Sequence, residues 1–502
     1  MAARRNKRAN LAIARIVPVL VIGAFAYASY AVTKPLCVDY LIHPYPDYSR
    51  SPRVGAGAAI IAVYYVLLFP VITTYLRLLH TVIWNTGFLP RGAQWIRERD
   101  EAEESAGRHR KRRRHRKREK ALGPAQEKTE RQPQTDVESG LDYAPGKAFP
   151  FDASGLESFY SKDVFVCMED GRPPYCSKCC QFKTDRAHHC REVDRCVRKM
   201  DHFCPWVGGV VSETSFKFFI QFVFYTAVFC IFNIVVLSIF VAELRREKSV
   251  IQEGHVNAHW LVVLGLSCLF GLFAAGMTGS SLQLAMLNVT TIENLTRRSK
   301  VWTLAVHIPR PDQIEIDPET QWAATFPTVS YPKPRTSPEL RAQDQEPKPD
   351  DRRVFAILRT RPGENPFDLG SRLKNLQQVM GYTVADWLLP LKGSPCADHS
   401  SLESAFALGP VVQRLKEEAG LVEPRPETGR DDSEDHQDRR HRHRHRRRSK
   451  MKRAERSRSS RRGDSGDEGD NNPEIQRPPK AHHRKVSDMS TDHSIQSNLS
   501  GN

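Results

Sequence analysis

The sequence predicts an α-helical polytopic membrane protein, with four transmembrane helices and a cytoplasmic zinc-binding cysteine-rich domain between the second and third. Three observations carry this: four long apolar runs, six of eleven cysteines gathered between Cys176 and Cys204, and a charged tail that cannot fold. The runs lie at 11–32, 57–79, 216–241 and 260–282, each long enough to cross about 30 Å of hydrocarbon as a helix. No soluble domain needs four such runs. The mean hydropathy of −0.49 conceals them because the polar middle and tail dilute the average.

Each segment then takes its place. Residues 1–10 are basic, with Arg4, Arg5, Lys7 and Arg8 ahead of the first run. A signal peptide is an alternative for that run, but its length, Pro18 and the lack of a cleavage site favour an anchor. Lys and Arg set the orientation. The N-terminus, the linker 80–150 and the region after the fourth run, with Arg297, Arg298 and Lys300, belong in the cytoplasm. Loops 33–56 and 242–259 then face the lumen or exterior. The second holds Arg245, Arg246 and Lys248, balanced by Glu243, Glu247 and Glu253. Which membrane is crossed, an endomembrane or the plasma membrane, leaves no mark. Asn288-Val-Thr290 and Asn294-Leu-Thr296 fit the glycosylation pattern but fall on the side its machinery does not reach.

The region 151–215 carries the chemistry. It reads Cys176-Ser-Lys-Cys179, His189-Cys190, Cys196, then Asp201-His202-Phe203-Cys204-Pro205-Trp206. A structural zinc needs four ligands, and Cys176, Cys179, His189 and Cys196 make a complete set. Cys204 is left over. A thiol needs a base to become a thiolate near neutral pH; His202 is two residues away, and Asp201 can orient its ring. The plainer reading makes His202 and Cys204 two more zinc ligands. On a cytoplasmic face the compartment is reducing, so thiols rather than disulfides are expected.

This stretch resembles the cysteine-rich domain of the DHHC-type protein S-acyltransferases, or palmitoyltransferases. The family's order is Cys-x2-Cys, nine residues, His-Cys, x2-Cys, x2-Cys, x4, Asp-His-His-Cys-Pro-Trp, and the spacing from Cys176 to Trp206 follows it without a gap. The resemblance implies Cys204 as acyl-accepting nucleophile, His202 as general base and Asp201 as the orienting acid. It also implies two zinc ions, but the four positions of the second site read Cys190, Val193, Phe203 and Val210. Three ligands are replaced together by apolar residues. The expectation is therefore one structural zinc, a second site lost and filled with hydrophobic side chains, and Phe203 as a core residue. The Asp-His-Phe-Cys variant is similar to fungal members with an aromatic residue there.

Two further motifs lie in 283–423. Thr290-Thr291-Ile292-Glu293 is similar to the family's Thr-Thr-x-Glu element, which lies near the active site and helps hold it; it is also a capping box by itself. Asn365-Pro366-Phe367-Asp368-Leu369-Gly370, with Asn375, resembles the family's C-terminal motif, in which the asparagine supports the fold; alone it reads as a turn into a helix. Asn85-Thr86-Gly87 only approximates the family's Asp-Pro-Gly element and carries no weight.

The implied reaction moves a fatty acyl group from acyl-CoA, as palmitoyl-CoA, onto cysteines of protein substrates near the membrane, through a Cys204 acyl-enzyme. One rival is a non-catalytic scaffold or adaptor on the same fold. The other is a channel or transporter, weakened by the scarcity of ionisable residues in the spans. The net charge of +17 lies mostly outside the core. Residues 108–120 hold ten Lys or Arg, read first as a solvated loop and next as a surface for anionic lipid headgroups. The tail 424–502 is expected to be disordered. No aromatic residues interleave with its charges, so no nucleic acid partner is expected.

Overall fold

The computed structural model describes residues 2–44, 51–105, 155–248, 257–309, 326–332 and 352–421. The basic run 108–120 and the tail 424–502 fall outside them, as do the side chains of Arg4, Arg5, Lys7 and Arg8.

All four apolar runs are helical and exceed the stretches read from sequence. They belong to α1 (Ala2–Ala31), which continues as a wider π-helix over Val32–Ile42, to α2 (Val54–Trp84) and, beyond α3 (93–105) and the short α4 (Glu157–Tyr160), to α5 (Phe216–Lys248) and α6 (Ala258–Met286). The segments apolar enough to cross a membrane are Asn10–Ile42, Val54–Trp84, Phe216–Arg246 and Ala258–Met286. At 1.5 Å per residue each exceeds 40 Å by a few ångströms or more, so its outer turns reach past about 30 Å of hydrocarbon. The first loop, expected from residue 33, is instead helical to Ile42 because Leu36, Cys37, Tyr40 and Leu41 are buried there. Tyr40 sits edge-on to Trp260 at 4.9 Å. Arg53, at the start of α2, donates to both oxygens of Glu243 in α5, at 2.8 and 3.1 Å.

One core runs from the helices into the cysteine-rich region: Tyr64, Tyr75 and Leu78 of α2 and Phe218, Phe219 and Phe222 of α5 share it with Cys204, Val207 and Val211. Between α4 and α5 the chain makes β1 (Val164–Val166) and then three small antiparallel hairpins. These are β2 (Tyr175–Cys176) with β3 (Gln181–Phe182), β4 (His188–Cys190) with β5 (Arg195–Val197), and β6 (His202–Cys204) with β7 (Gly209–Val211).

After α6 come α7 (Thr291–Leu295), β8 (Thr303–Ile308), β9 (Thr328–Pro332), β10 (Arg352–Arg359), α8 (Arg372–Met380), α9 (Val384–Leu388) and α10 (Pro410–Glu418). The strands form an antiparallel sheet in the order β1-β8-β10-β9 that sequence reasoning did not anticipate. Its residues alternate, as strand geometry requires. Phe165, Ala305, Phe355 and Ile357 face one cluster, whereas Val164, Leu304, Val306, Ala356 and Leu358 pack with Val412 and Leu415 of α10. Residues 164–166, placed with the zinc region by sequence, thus join the C-terminal region instead.

Candidate active site and metal centre

The hairpins bring the four metal donors together. Register sets His189 opposite Cys196, and the β2–β3 turn presents Cys176 and Cys179. Their ligand atoms all lie within 4.8 Å of one another. His189 Nδ1 stands 3.6, 3.4 and 3.9 Å from the sulfurs of Cys176, Cys179 and Cys196. A tetrahedral zinc with ordinary bond lengths has sulfur–nitrogen edges of about 3.6 Å, so the donor set fits that ion. The outer nitrogen of His189 lies 3.6 Å from Asp194 Oδ1. His202 and Cys204 stand outside this group.

The positions of the second zinc site also come together, but as a core. Cys190, Val193, Phe203 and Val210 share one apolar cluster with Phe88, Val197, Met200 and Ile292. Phe203 and Val210 are cross-strand partners in the β6–β7 hairpin. Side chains occupy the ground where ligands would converge.

On the same hairpin, His202 Nδ1 and Asp201 Oδ2 are 2.6 Å apart. Asp201 is buried, and its two oxygens accept from the Thr291 backbone N–H and hydroxyl, both at 2.9 Å. The Thr-Thr-x-Glu element is therefore both a capping box, with Thr290 and Glu293 bonding reciprocally, and a direct support of the acid. Burial works against a charged His202, yet hydrogen bonds with Asp201 and Cys204 outweigh it and push the imidazole up to about 9. Cys204 ends β6 and is buried, and the Pro205–Val207 turn returns the chain through Gly208. Glycine is required there, since φ is +75° and a Cβ would lie 3.2 Å from the Ala14 carbonyl of α1. Tyr75 of α2 donates to the Trp206 carbonyl at 2.9 Å.

Arg186, which sequence reasoning missed, joins the zinc region to this support. It donates to Glu293 through Nε at 2.8 Å and a terminal nitrogen at 2.6 Å, and to Asn288 Oδ1 and its carbonyl at 3.1 and 2.9 Å. Both ionic side chains are almost wholly buried, at 0% and 2% exposure. Burial alone would raise Glu293, but the guanidinium prevails and brings its carboxyl down to about 2. Its folded value is depressed, so this contribution to stability is present above the ordinary value of 4.5 and is lost as pH falls through about 2. Asn288, the first glycosylation-pattern asparagine, is buried and donates to the Phe367 carbonyl at 2.7 Å.

The C-terminal motif caps α6. Asn375 donates to the Met286 carbonyl at 2.9 Å, and Asn365 donates to the carbonyls of Leu287 and Asn288 at 3.3 and 3.2 Å. The Met286 and Leu287 carbonyls are end-of-helix acceptors that need such partners, whereas the Asn288 carbonyl also accepts from Arg186. Asn85-Thr86-Gly87, set aside on sequence grounds, also has a part: Thr214 and Ser212 hydroxyls donate to the carbonyls of Asn85 and Thr86, and the Arg198 N–H to that of Gly87.

An apolar cavity opens among α1, α5 and α6. Val21, Phe25 and Ala28, Phe222 and Phe229, and Val263, Phe270 and Phe273 line it. Trp206, two residues beyond Cys204, forms part of the wall and meets Phe270 edge-to-face at 5.8 Å. Sequence carried no signal for these side chains, since core and cavity residues look alike in an apolar run.

Residues 169–298 match the family described as DHHC palmitoyltransferase. The chain is 62% identical over 417 residues to palmitoyltransferase pfa5 of Aspergillus fumigatus, covering 83% of this chain and 92% of that protein. It is 53% identical over 440 residues to palmitoyltransferase pfa5 of Emericella nidulans, covering 84% and 88%. Palmitoyltransferase ZDHHC15 of Rattus norvegicus is 26% identical over 238 residues, covering 47% and 52%. The two pfa5 matches, at 62% and 53% identity across most of both chains and on a site with this geometry, mean that the chain belongs to the DHHC palmitoyltransferase family.

Proposed function

We propose that this chain transfers a fatty acyl group from acyl-CoA to protein cysteines in two steps, with Cys204 as nucleophile, His202 as acid–base and Asp201 as orienting acid. Cys204 Sγ attacks the thioester carbonyl and His202 takes the thiol proton. The carbon–sulfur bond to CoA breaks, and the proton leaves with the CoA thiolate. A substrate cysteine then gives its proton to His202 and attacks the acyl-enzyme, releasing the Cys204 thiolate. The observation that carries this reading is the Asp201–His202 pair at 2.6 Å, anchored by Thr291 and adjoining a buried thiol. An imidazole held at about 9 retains a proton taken from Cys204, as such a nucleophile requires.

The apolar cavity supports the same reading. Each buried methylene contributes about 0.8 kcal/mol, so a long chain lodged between α1, α5 and α6 would be held firmly with its thioester at the Trp206 end. The distribution of Lys and Arg supports a cytoplasmic site with both termini on that side, where acyl-CoA and membrane-proximal protein cysteines meet. The charge of 108–120 suits anionic headgroups.

The test is incubation of purified protein with labelled palmitoyl-CoA. Hydroxylamine-sensitive label is expected on wild type and none on Cys204→Ser. An equally labelled Cys204→Ser variant would remove Cys204 from its role; an unlabelled wild type with fold and zinc intact would favour the scaffold.

We infer one bound zinc, held by Cys176, Cys179, His189 and Cys196, which ties the two hairpins and leaves the chemistry to Cys204. Elemental analysis is expected to give one zinc per chain, falling to near zero with Cys179→Ser. Two per chain would mean that a second site persists.

A further inference from the structure

We propose that residues 382–391, around α9, are a lipid-inserted foot on the catalytic side of the bilayer, with the acyl region of that leaflet as its partner.

The first observation is depth. Gln221 of α5 donates to the carbonyls of Asp386, Trp387 and Leu389 at 3.2, 2.9 and 3.3 Å, and Tyr225 donates to that of Leu388 at 2.8 Å. Gln221 and Tyr225 stand about 7 and 13 Å along the helix from Phe216, at 1.5 Å per residue. Phe218, in the first turn, lies under the guanidinium of Arg77 at 5.2 Å. Arg77 is an exposed charge on α2, which belongs at headgroup level rather than in hydrocarbon. The carbonyls of 386–389 are thus tied to α5 about one to two turns further into its span.

The second observation is what the segment presents at that depth. Tyr382, Val384, Leu388, Leu389 and Leu391 are 61, 67, 46, 49 and 74% exposed. Phe224 of α5, 42% exposed and next to Tyr225, continues the apolar surface onto the span itself. In water so many adjacent exposed apolar side chains would be a liability; beside a transmembrane helix they extend the lipid-facing belt.

The third is that the segment's polar groups have partners within the protein, as a low-dielectric setting demands. Thr383 and Asp386 form a reciprocal capping box, and Trp387 Nε1 donates to the Gly381 carbonyl at 2.7 Å. Lys392, 75% exposed, reaches Asp386 at 3.3 Å from the end of the segment, where a long cationic stem can return to the headgroups.

The test uses the full chain in phosphatidylcholine nanodiscs with p-benzoylphenylalanine in place of Leu389 or Leu391, and in place of Leu402, 70% exposed outside this segment, as control. The side chains at 391 and 402 are mostly exposed, so neither change disturbs a packed core. After irradiation, mass spectrometry is expected to find lipid adducts at 389 and 391 at least tenfold above 402. Yields equal to the control, or adducts to protein alone, would overturn the foot whatever the outcome of the acyl-transfer assay.

Discussion

Arg186→Met is expected to destabilise the protein by about 3–5 kcal/mol, because it leaves the Glu293 carboxylate buried without its counter-charge. The same arginine also bonds Asn288, so the end of α6 and the start of α7 lose their link to the zinc region together. Thermal unfolding of the purified protein, followed with zinc release, measures the loss. Adding Glu293→Gln to Arg186→Met is expected to recover part of it, since the uncompensated charge then disappears. Losses that simply add would mean that the two groups do not act as a pair. Acyl-enzyme formation should fall as well, because Thr291 is held in the turn that Glu293 closes.

Asp201→Asn is expected to slow acyl-enzyme formation by about 10²–10⁴-fold while fold and zinc content persist, the scale seen when an orienting carboxylate becomes an amide. The amide carries no charge to stabilise the imidazolium, and its nitrogen would turn a donor toward His202 or Thr291. His202 would no longer be held at about 9, so the pH dependence of acylation should move to lower pH. Thr291→Val removes one of two donors to Asp201 and leaves the backbone N–H, so a smaller loss, roughly tenfold, is expected. Wild-type rates in Asp201→Asn would end its assignment as the orienting group.

The four helices and the cluster of three cysteines and a histidine that could hold a metal were legible because each is local: a span is one uninterrupted run, and the cluster sits in a short stretch at fixed spacing. The packing of Val193, Phe203 and Val210 was also legible, since three apolar substitutions at one expected site share one explanation. The Thr-Thr-x-Glu element was expected to help hold the site, but its bonds to Asp201 were not foreseen, because a hydrogen bond spanning 90 residues has no local signature. Arg186 was invisible for the same reason. It is one basic residue among many, and its partner lies 107 positions away. The β1-β8-β10-β9 sheet was missed because its strands come from 164–166, 303–308, 328–332 and 352–359, and sequence separation hides pairing between short strands.

The distance along the chain between Cys204 and Thr291 gives the protein an order of assembly. The zinc ligands, the thiol and its histidine are synthesised before the third and fourth spans, and the threonine that steadies Asp201 follows only after both. Asn365 and Asn375, which cap the fourth span, come later still. A ribosome still threading α6 into the membrane therefore carries Cys204 and His202 beside an Asp201 that has not yet met Thr291. Only when translation has passed residue 375 are all the parts of the site described here present, so the thiol acquires its full setting as the last act of the protein's own biogenesis.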